Sequence, residues 1–434
     1  MPPESEPDHV AASLLDGLDE ATVVSAMSPC QPDRLLRALI AVSRRSGVRL
    51  TFLIADLSGG WAFLDGQAEM DARAGRLRLI CLAGAVPKRL TRLVDYYPHT
   101  LYDTDRFLAD GTLGADVFVA SVRQSGPGNQ FSFGEMVGYS PSALRAAGRA
   151  GFEVSGAPVP VASDCMVPDS VAPLLFSPAD RSAPVAPRPA SSSQQDASSD
   201  RTRIGRLVAE LVPDGATIQL GLGAVPEAVV PHLIGKRDLG LHSGILPGSL
   251  QALITRGVVT GRAKTHYPGL HIATGVLRRA AGGDGSWGPN VRLEPISVTH
   301  SPDVLQQQHR LWSINSAFEI DLLGQVNGEF IAGLRVASGG GQTDFFRAAH
   351  LSDGGAAVLA LPSRTARGRS RIVATLNTPF RVTSSASDLD YVVTEFGVAH
   401  LAGATASDRA RQLIAIAHPD HRDTLLREWT DLHG

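Results

Sequence analysis

Cysteine is scarce in this chain of 434 residues, and the three present, Cys30, Cys81 and Cys165, are scattered without C-x-x-C spacing. That pattern excludes a disulfide framework and a paired-cysteine zinc site, so no metal is expected and a reducing cytoplasm fits. Long apolar runs are missing too. Nowhere do about 18 apolar residues follow one another, and the polar start MPPESEPDHV has no apolar core of the kind a secretion signal needs. No membrane partner is expected. Charge of one sign is also absent: 40 basic and 43 acidic residues leave a net charge of -3, with no long basic run. A binder driven by phosphate contacts would need such a run, so nucleic acid is excluded and the expected partners are small molecules.

What is present is a large apolar fraction, 43%, enough for a substantial core. Short continuous apolar runs alternate with helix-like ones: VRLTFLIADL, RLRLICLAGAV and ADVFVASV in the first half, ATIQLGL, AAVLALP and DYVVTEFGVA in the second. Strands apolar on both faces and separated by helices predict an α/β fold with mostly parallel sheets. Between the halves, Ser177 to Arg203 is a run of Ser, Ala, Pro and Gln with no aromatic residue, which reads as a flexible linker. The expected organisation is therefore a domain over 1–176, a linker over 177–203 and a domain over 204–434. The halves also echo each other. DEATVVSAMSPCQPDRLLRALI (19–40) aligns with DGATIQLGLGAVPEAVVPHLI (214–234) in the order strand, loop, proline, helix, which reads as one folded unit used twice.

The copies differ in their loops, Ser25-Ala26-Met27-Ser28 in the first and Leu220-Gly221-Leu222-Gly223 in the second. A glycine loop between strand and helix exposes free N–H groups that can cradle a phosphate or an oxyanion, although Pro226 stands where a dinucleotide-binding loop would need its third glycine. A second loop, Gly339-Gly340-Gly341-Gln342, carries three adjacent glycines whose entropy cost points to close approach of a ligand. Gly397, after the run Tyr391 to Glu395, is a further backbone donor candidate.

In this order, DGATIQLGLGAVPEAV, DLGLHS, GVVTGRAKT, SINSAFEIDLLGQVN, SGGGQTDFFRAA, RSRIVATL, VVTEFGVA and RARQLIAIAHPDHRDTL resemble the acetyl-CoA hydrolase/transferase family of class I CoA-transferases, the group of the 4-hydroxybutyrate CoA-transferases. The likeness runs from about Glu20 to Leu426 and is looser in the first half. It implies two similarly folded α/β domains with the active site between them. It further implies a coenzyme A thioester as substrate rather than a tightly bound cofactor, and a homodimer or larger homo-oligomer. The family's glutamate nucleophile ends a strand reading Leu-Gly-Ile-His-Ser/Thr-Glu. Here that strand reads Leu239-Gly240-Leu241-His242-Ser243-Gly244, and glycine holds the nucleophile's place.

Other positions depart as well. Counting back from Asn315 puts His300 where the family has the asparagine that polarises the thioester carbonyl. Ala386 and Ala402 replace two family arginines, which removes guanidinium forks suited to phosphate or carboxylate. His300 becomes the candidate general base and Ser243 a second catalytic candidate, although GLHSG lacks the G-x-S-x-G spacing of a nucleophile elbow. Gly221, Gly223, Gly339, Gly340, Gly341, Gln342 and Gly397 are the expected thioester-binding residues. The expected activity is acyl transfer from an acyl-CoA to an acceptor, or thioester hydrolysis, by direct attack in the room the missing side chain leaves. Two alternatives remain: an orthodox CoA-transferase using Glu319, or a thioester-binding subunit without turnover.

Overall fold

The computed structural model describes residues 6–433 apart from 28–30, 126–129, 155–161, 164, 169–173, 177–194, 278–286 and 377–381. It divides into two compact units, one of 1–187, 274–298 and 335–340, the other of 188–273, 299–334 and 341–434. Most of the expected linker, 177–194, lies outside the described residues, and 195–203 open the helix Gln195–Leu211.

In the first unit the strand earliest in the chain, Glu20–Ser25, lies in the middle of a sheet. On one side lie Arg49–Asp56, Leu77–Gly84 and Val94–Tyr96, on the other Val117–Gln124, Arg149–Val154 and Leu174–Phe176, all joined in parallel. Parallel neighbours need crossover connections, and helix Asp33–Ser46 supplies one, burying Leu35, Leu36, Leu39, Ile40 and Val42 at helical spacing. The strand order reverses between Glu20–Ser25 and Val117–Gln124, the switch point at whose carboxyl ends an open α/β sheet leaves a crevice.

The second unit repeats the plan. Thr217–Leu220 is central, with Gly240–Leu246 on one side and Leu311–Asn315, Ala356–Ala360 and Tyr391–Thr394 on the other, again in parallel. The hairpin Tyr391–Thr394 with Gly397–His400 closes that edge antiparallel, and Glu319–Asp321 pairs antiparallel with Val326–Asn327 in a smaller sheet. The unit's switch point falls between Thr217–Leu220 and Leu311–Asn315. The expected α/β class with mostly parallel sheets is thus the observed one. The two segments aligned as a repeat, 19–40 and 214–234, each hold the central strand of their unit together with the loop and helix that come after it. Among the described residues no helix is long and apolar enough to cross a membrane.

Candidate functional site

Side chains alternate along a strand, so the register Thr217 to Gly240 and Thr217 to Leu311 puts Gln219, His242, Gly244, Ser313 and Asn315 on one face of the second unit's sheet. That face is polar at its heart. Ser313 Oγ donates to Gln219 Oε1 at 2.6 Å, and Asn315 Nδ2 donates to the same oxygen at 2.8 Å. Gln219 Nε2 returns a bond to Asn315 Oδ1 at 3.3 Å. All three are buried, and mutual bonding is what makes their burial tolerable.

This network explains Gly221. A Cβ there would lie 2.3 Å from Asn315 Oδ1, and its N–H already donates to the carbonyl of Ile314 at 2.8 Å. Gly221 therefore gives way to a side chain of its own fold, and it has no amide free for an oxyanion. Gly223 differs: its φ of +131° favours glycine, and a Cβ would meet nothing closer than Pro226 Cδ at 4.0 Å.

At the end of Gly240–Leu246, the place where a Gly244 Cβ would stand is 3.3 Å from both Cε1 and Nε2 of His300 and 3.8 Å from Phe345. The imidazole packs edge-on against Phe345 with ring centroids 4.8 Å apart, and its Nδ1 shares a hydrogen bond of 2.9 Å with Thr299 Oγ1. Burial pushes His300 down to about 3, so the ring is neutral at physiological pH. The expectation of open room beside Gly244 is corrected here, because imidazole fills the space next to its Cα. The expected juxtaposition of Ser243 with that centre does not arise either. Ser243 points to the other face, fully buried, and its hydroxyl donates to the carbonyls of Leu220 and Ile245 at 3.4 and 3.3 Å.

Further along the strand, Gln308 Nε2 donates to His242 Nδ1 at 3.0 Å, which leaves the His242 proton on Nε2. Burial holds His242 well below its usual value and, helped by Lys264, takes His271 down to about 4. Lys264 is itself buried and lowered to about 7 by burial, its ammonium donating to the carbonyls of Leu241 and Leu270 at 2.9 and 2.8 Å. Its stem crosses Gly240, where a Cβ would come within 2.6 Å of Lys264 Cγ. Gln219, Ser313, Asn315 and Lys264 were not among the expected site residues. A signal existed for the first three, polar residues at alternate positions inside apolar strands.

Gly339 and Gly340 end the last segment of the first unit, and Gly341 caps helix Gln342–Leu351 of the second. Gln342 Nε2 donates to the Ser316 carbonyl at 3.2 Å and its Oε1 accepts from Ser384 at 3.3 Å. Gly397 pairs with Thr394 across a hairpin, packed under Ile416. Glu319 accepts from Asn327 Nδ2 at 3.1 Å, and the Arg371 guanidinium is within electrostatic reach of both Glu319 and Glu395. Glu395 is buried and held by the N–H and hydroxyl of Ser363 at 2.9 and 2.5 Å. Among the described residues no group of three or more His, Cys, Asp or Glu is placed to hold a metal.

The family profile described as acetyl-CoA hydrolase/transferase C-terminal domain matches residues 286–429. Over 228 residues, 52% of this chain and 53% of the other, the chain is 42% identical to 4-hydroxybutyrate coenzyme A transferase of Clostridium kluyveri. The matched stretch spans about half the length of that curated relative. Two solved structures align over 99% of this chain and 97% of theirs: RipA from Yersinia pestis, at 29% identity and a TM-score of 0.84, and 4-hydroxybutyrate CoA-transferase from Porphyromonas gingivalis, at 27% and 0.75. With a twice-built switch-point sheet, the matched profile and these near full-length alignments in hand, residues 286–429 carry the acetyl-CoA hydrolase/transferase C-terminal domain, and the chain as a whole shares the fold of these two solved structures.

Proposed function

We propose that the protein transfers the acyl group of a coenzyme A thioester to an acceptor, or to water, by direct attack without a glutamyl-CoA intermediate. The observation that carries the reading is Gly244: at the strand end where the family resemblance puts a carboxylate there is no side chain, and a neutral imidazole stands 3.3 Å from the Cβ position. Nδ1 and Thr299 Oγ1 share a hydrogen bond of 2.9 Å; the proposed mechanism takes the tautomer in which Nδ1–H donates, which leaves Nε2 unprotonated and able to accept a proton. The acceptor's oxygen or nitrogen attacks the thioester carbon as its proton passes to His300 Nε2. The tetrahedral oxyanion takes a hydrogen bond from the Gly223 N–H, and its collapse expels the thiolate, which recovers the proton from the imidazolium. The products are the acylated acceptor, or the free acid, and coenzyme A. The partners are small molecules, with no resident cofactor in the scheme, and the assembly is a homodimer or larger homo-oligomer in the cytoplasm.

Free thiol release from acetyl-CoA and 4-hydroxybutyryl-CoA, with water, alcohols, amines and carboxylates as acceptors, tests the reading. His300→Ala is expected to lower kcat by about 100-fold or more. Hydroxylamine or borohydride trapping should modify no glutamate in the native protein, whereas Gly244→Glu should create one trappable site. A trapped Glu319 in the native protein would instead establish an orthodox CoA-transferase. Coenzyme A binding with no thiol release from any mixture would leave a binding subunit.

A further inference from the structure

The first unit holds a cavity of about 300 Å³ at the amino ends of its strands, the edge opposite the switch-point crevice. Its apolar wall comes from Ile40 of helix Asp33–Ser46 and from Leu50 and Leu77, near the starts of Arg49–Asp56 and Leu77–Gly84. Its polar side is Arg44, Arg76 and Asp71. The Asp71 carboxylate is buried and shared: Arg44 Nε donates to one oxygen at 2.6 Å, while Arg76 donates to the other from Nη2 at 2.7 Å and Nε at 3.2 Å. Two guanidinium groups thus share the Asp71 carboxylate, and Arg44 forms a second, looser ion pair with Asp65, 3.9 Å from its Nη2. Arg49 pairs with Glu20, and both are mostly exposed. Arg44 commits only its Nε. Asp65, 66% exposed, lies beyond hydrogen-bond reach of Nη2, so the Nη donors of Arg44 are left to a ligand.

The geometry points to a binding site for a short-chain carboxylate, its head on the Nη groups of Arg44 and its alkyl chain against Ile40, Leu50 and Leu77. The Nη nitrogens of a guanidinium match a carboxylate's two oxygens, and the volume lies at the lower end of small-ligand sites. Neither the proposed reaction nor any of its residues enters this assignment.

Calorimetric titration of the full chain with butyrate, in the absence of any thioester, tests it. Saturable 1:1 binding is expected, with no heat from 1-butanol at the same concentrations. Arg44→Gln keeps the Arg76–Asp71 pair and should weaken butyrate at least about tenfold. Gln67→Trp narrows the cavity from an exposed position without touching the ion pairs, and should weaken it several-fold even if Arg44→Gln fails to fold. Unchanged affinity in Gln67→Trp and in any folded Arg44→Gln protein would place butyrate elsewhere and overturn the assignment. Equal binding of 1-butanol, or no saturable butyrate binding, would overturn it as well.

Discussion

The two switch points are built on one plan with opposite chemistry. Ala26 and Gly221 occupy matching places after the central strands, and each donates its N–H across the switch, to Val119 at 2.9 Å and to Ile314 at 2.8 Å. Around Ala26 the strands present Val24, Phe118 and Ala120, all fully buried. Around Gly221 the corresponding positions are Gln219, Ser313 and Asn315. The neighbouring strand continues the contrast, Leu53 and Ala55 in the first unit against His242 and Gly244 in the second. A hydrocarbon-lined switch stabilises its sheet, whereas an amide-lined one stabilises it less and can orient polar groups. At these positions the second copy alone presents polar side chains on this face.

Acidity offers the largest way to break that contrast. In the second unit burial lowers His271 and His300 from 6.5 to about 4 and about 3, so the unfolded chain binds protons that the fold refuses. Stability there should be lost as pH falls from 6.5 towards 4, by about 1.4 kcal/mol per pH unit for each imidazole. The first unit has the reverse sign. Burial raises Glu153 from 4.5 to about 7 and Asp105 from 3.8 to about 6, so its stability should fall as pH rises from about 4 to about 7. Peptide-resolved hydrogen exchange, corrected for intrinsic rates, should show opposite trends; a common trend in both units would break the comparison.

Gly221→Ala comes next, expected to destabilise by about 2–3 kcal/mol because the new methyl cannot coexist with the Asn315 amide. Denaturant unfolding measures it, and adding Asn315→Ala should return part of the loss. Alone, Asn315→Ala should cost about 1–2 kcal/mol by leaving Gln219 under-bonded. The smallest effect belongs to the first copy, where Ala26→Gly should cost less than about 1 kcal/mol. Similar costs for Gly221→Ala and Ala26→Gly would mean that the amide network does not set the difference.

Much of this architecture was legible from local pattern. Apolar runs such as VRLTFLIADL marked the parallel strands, and the repeat of 19–40 at 214–234 marked the central one in each unit. The reasons behind the glycines were not legible, since they rest on partners distant in sequence. Gly221 answers to Asn315 and Gly240 to Lys264, and no window of neighbouring residues contains those pairs. The Gly221 and Ser243 readings missed for that reason. Local pattern supplied a backbone donor and a free hydroxyl, whereas tertiary pairing engaged the first with Ile314 and the second with Leu220 and Ile245. The linker composition likewise could not show that the chain later returns to its first unit.

That return has a practical consequence. Residues 335–340 donate from Ser338 to Gly84 and accept from Val86 at Val336, and Thr274 accepts hydrogen bonds from Val137 and Gly138. A polypeptide truncated at residue 187 would therefore lack threads that its own half requires, and a protease nick at that point would yield two pieces held together by interlacing. Dissecting this protein calls for circular permutation or co-expression rather than a single cut.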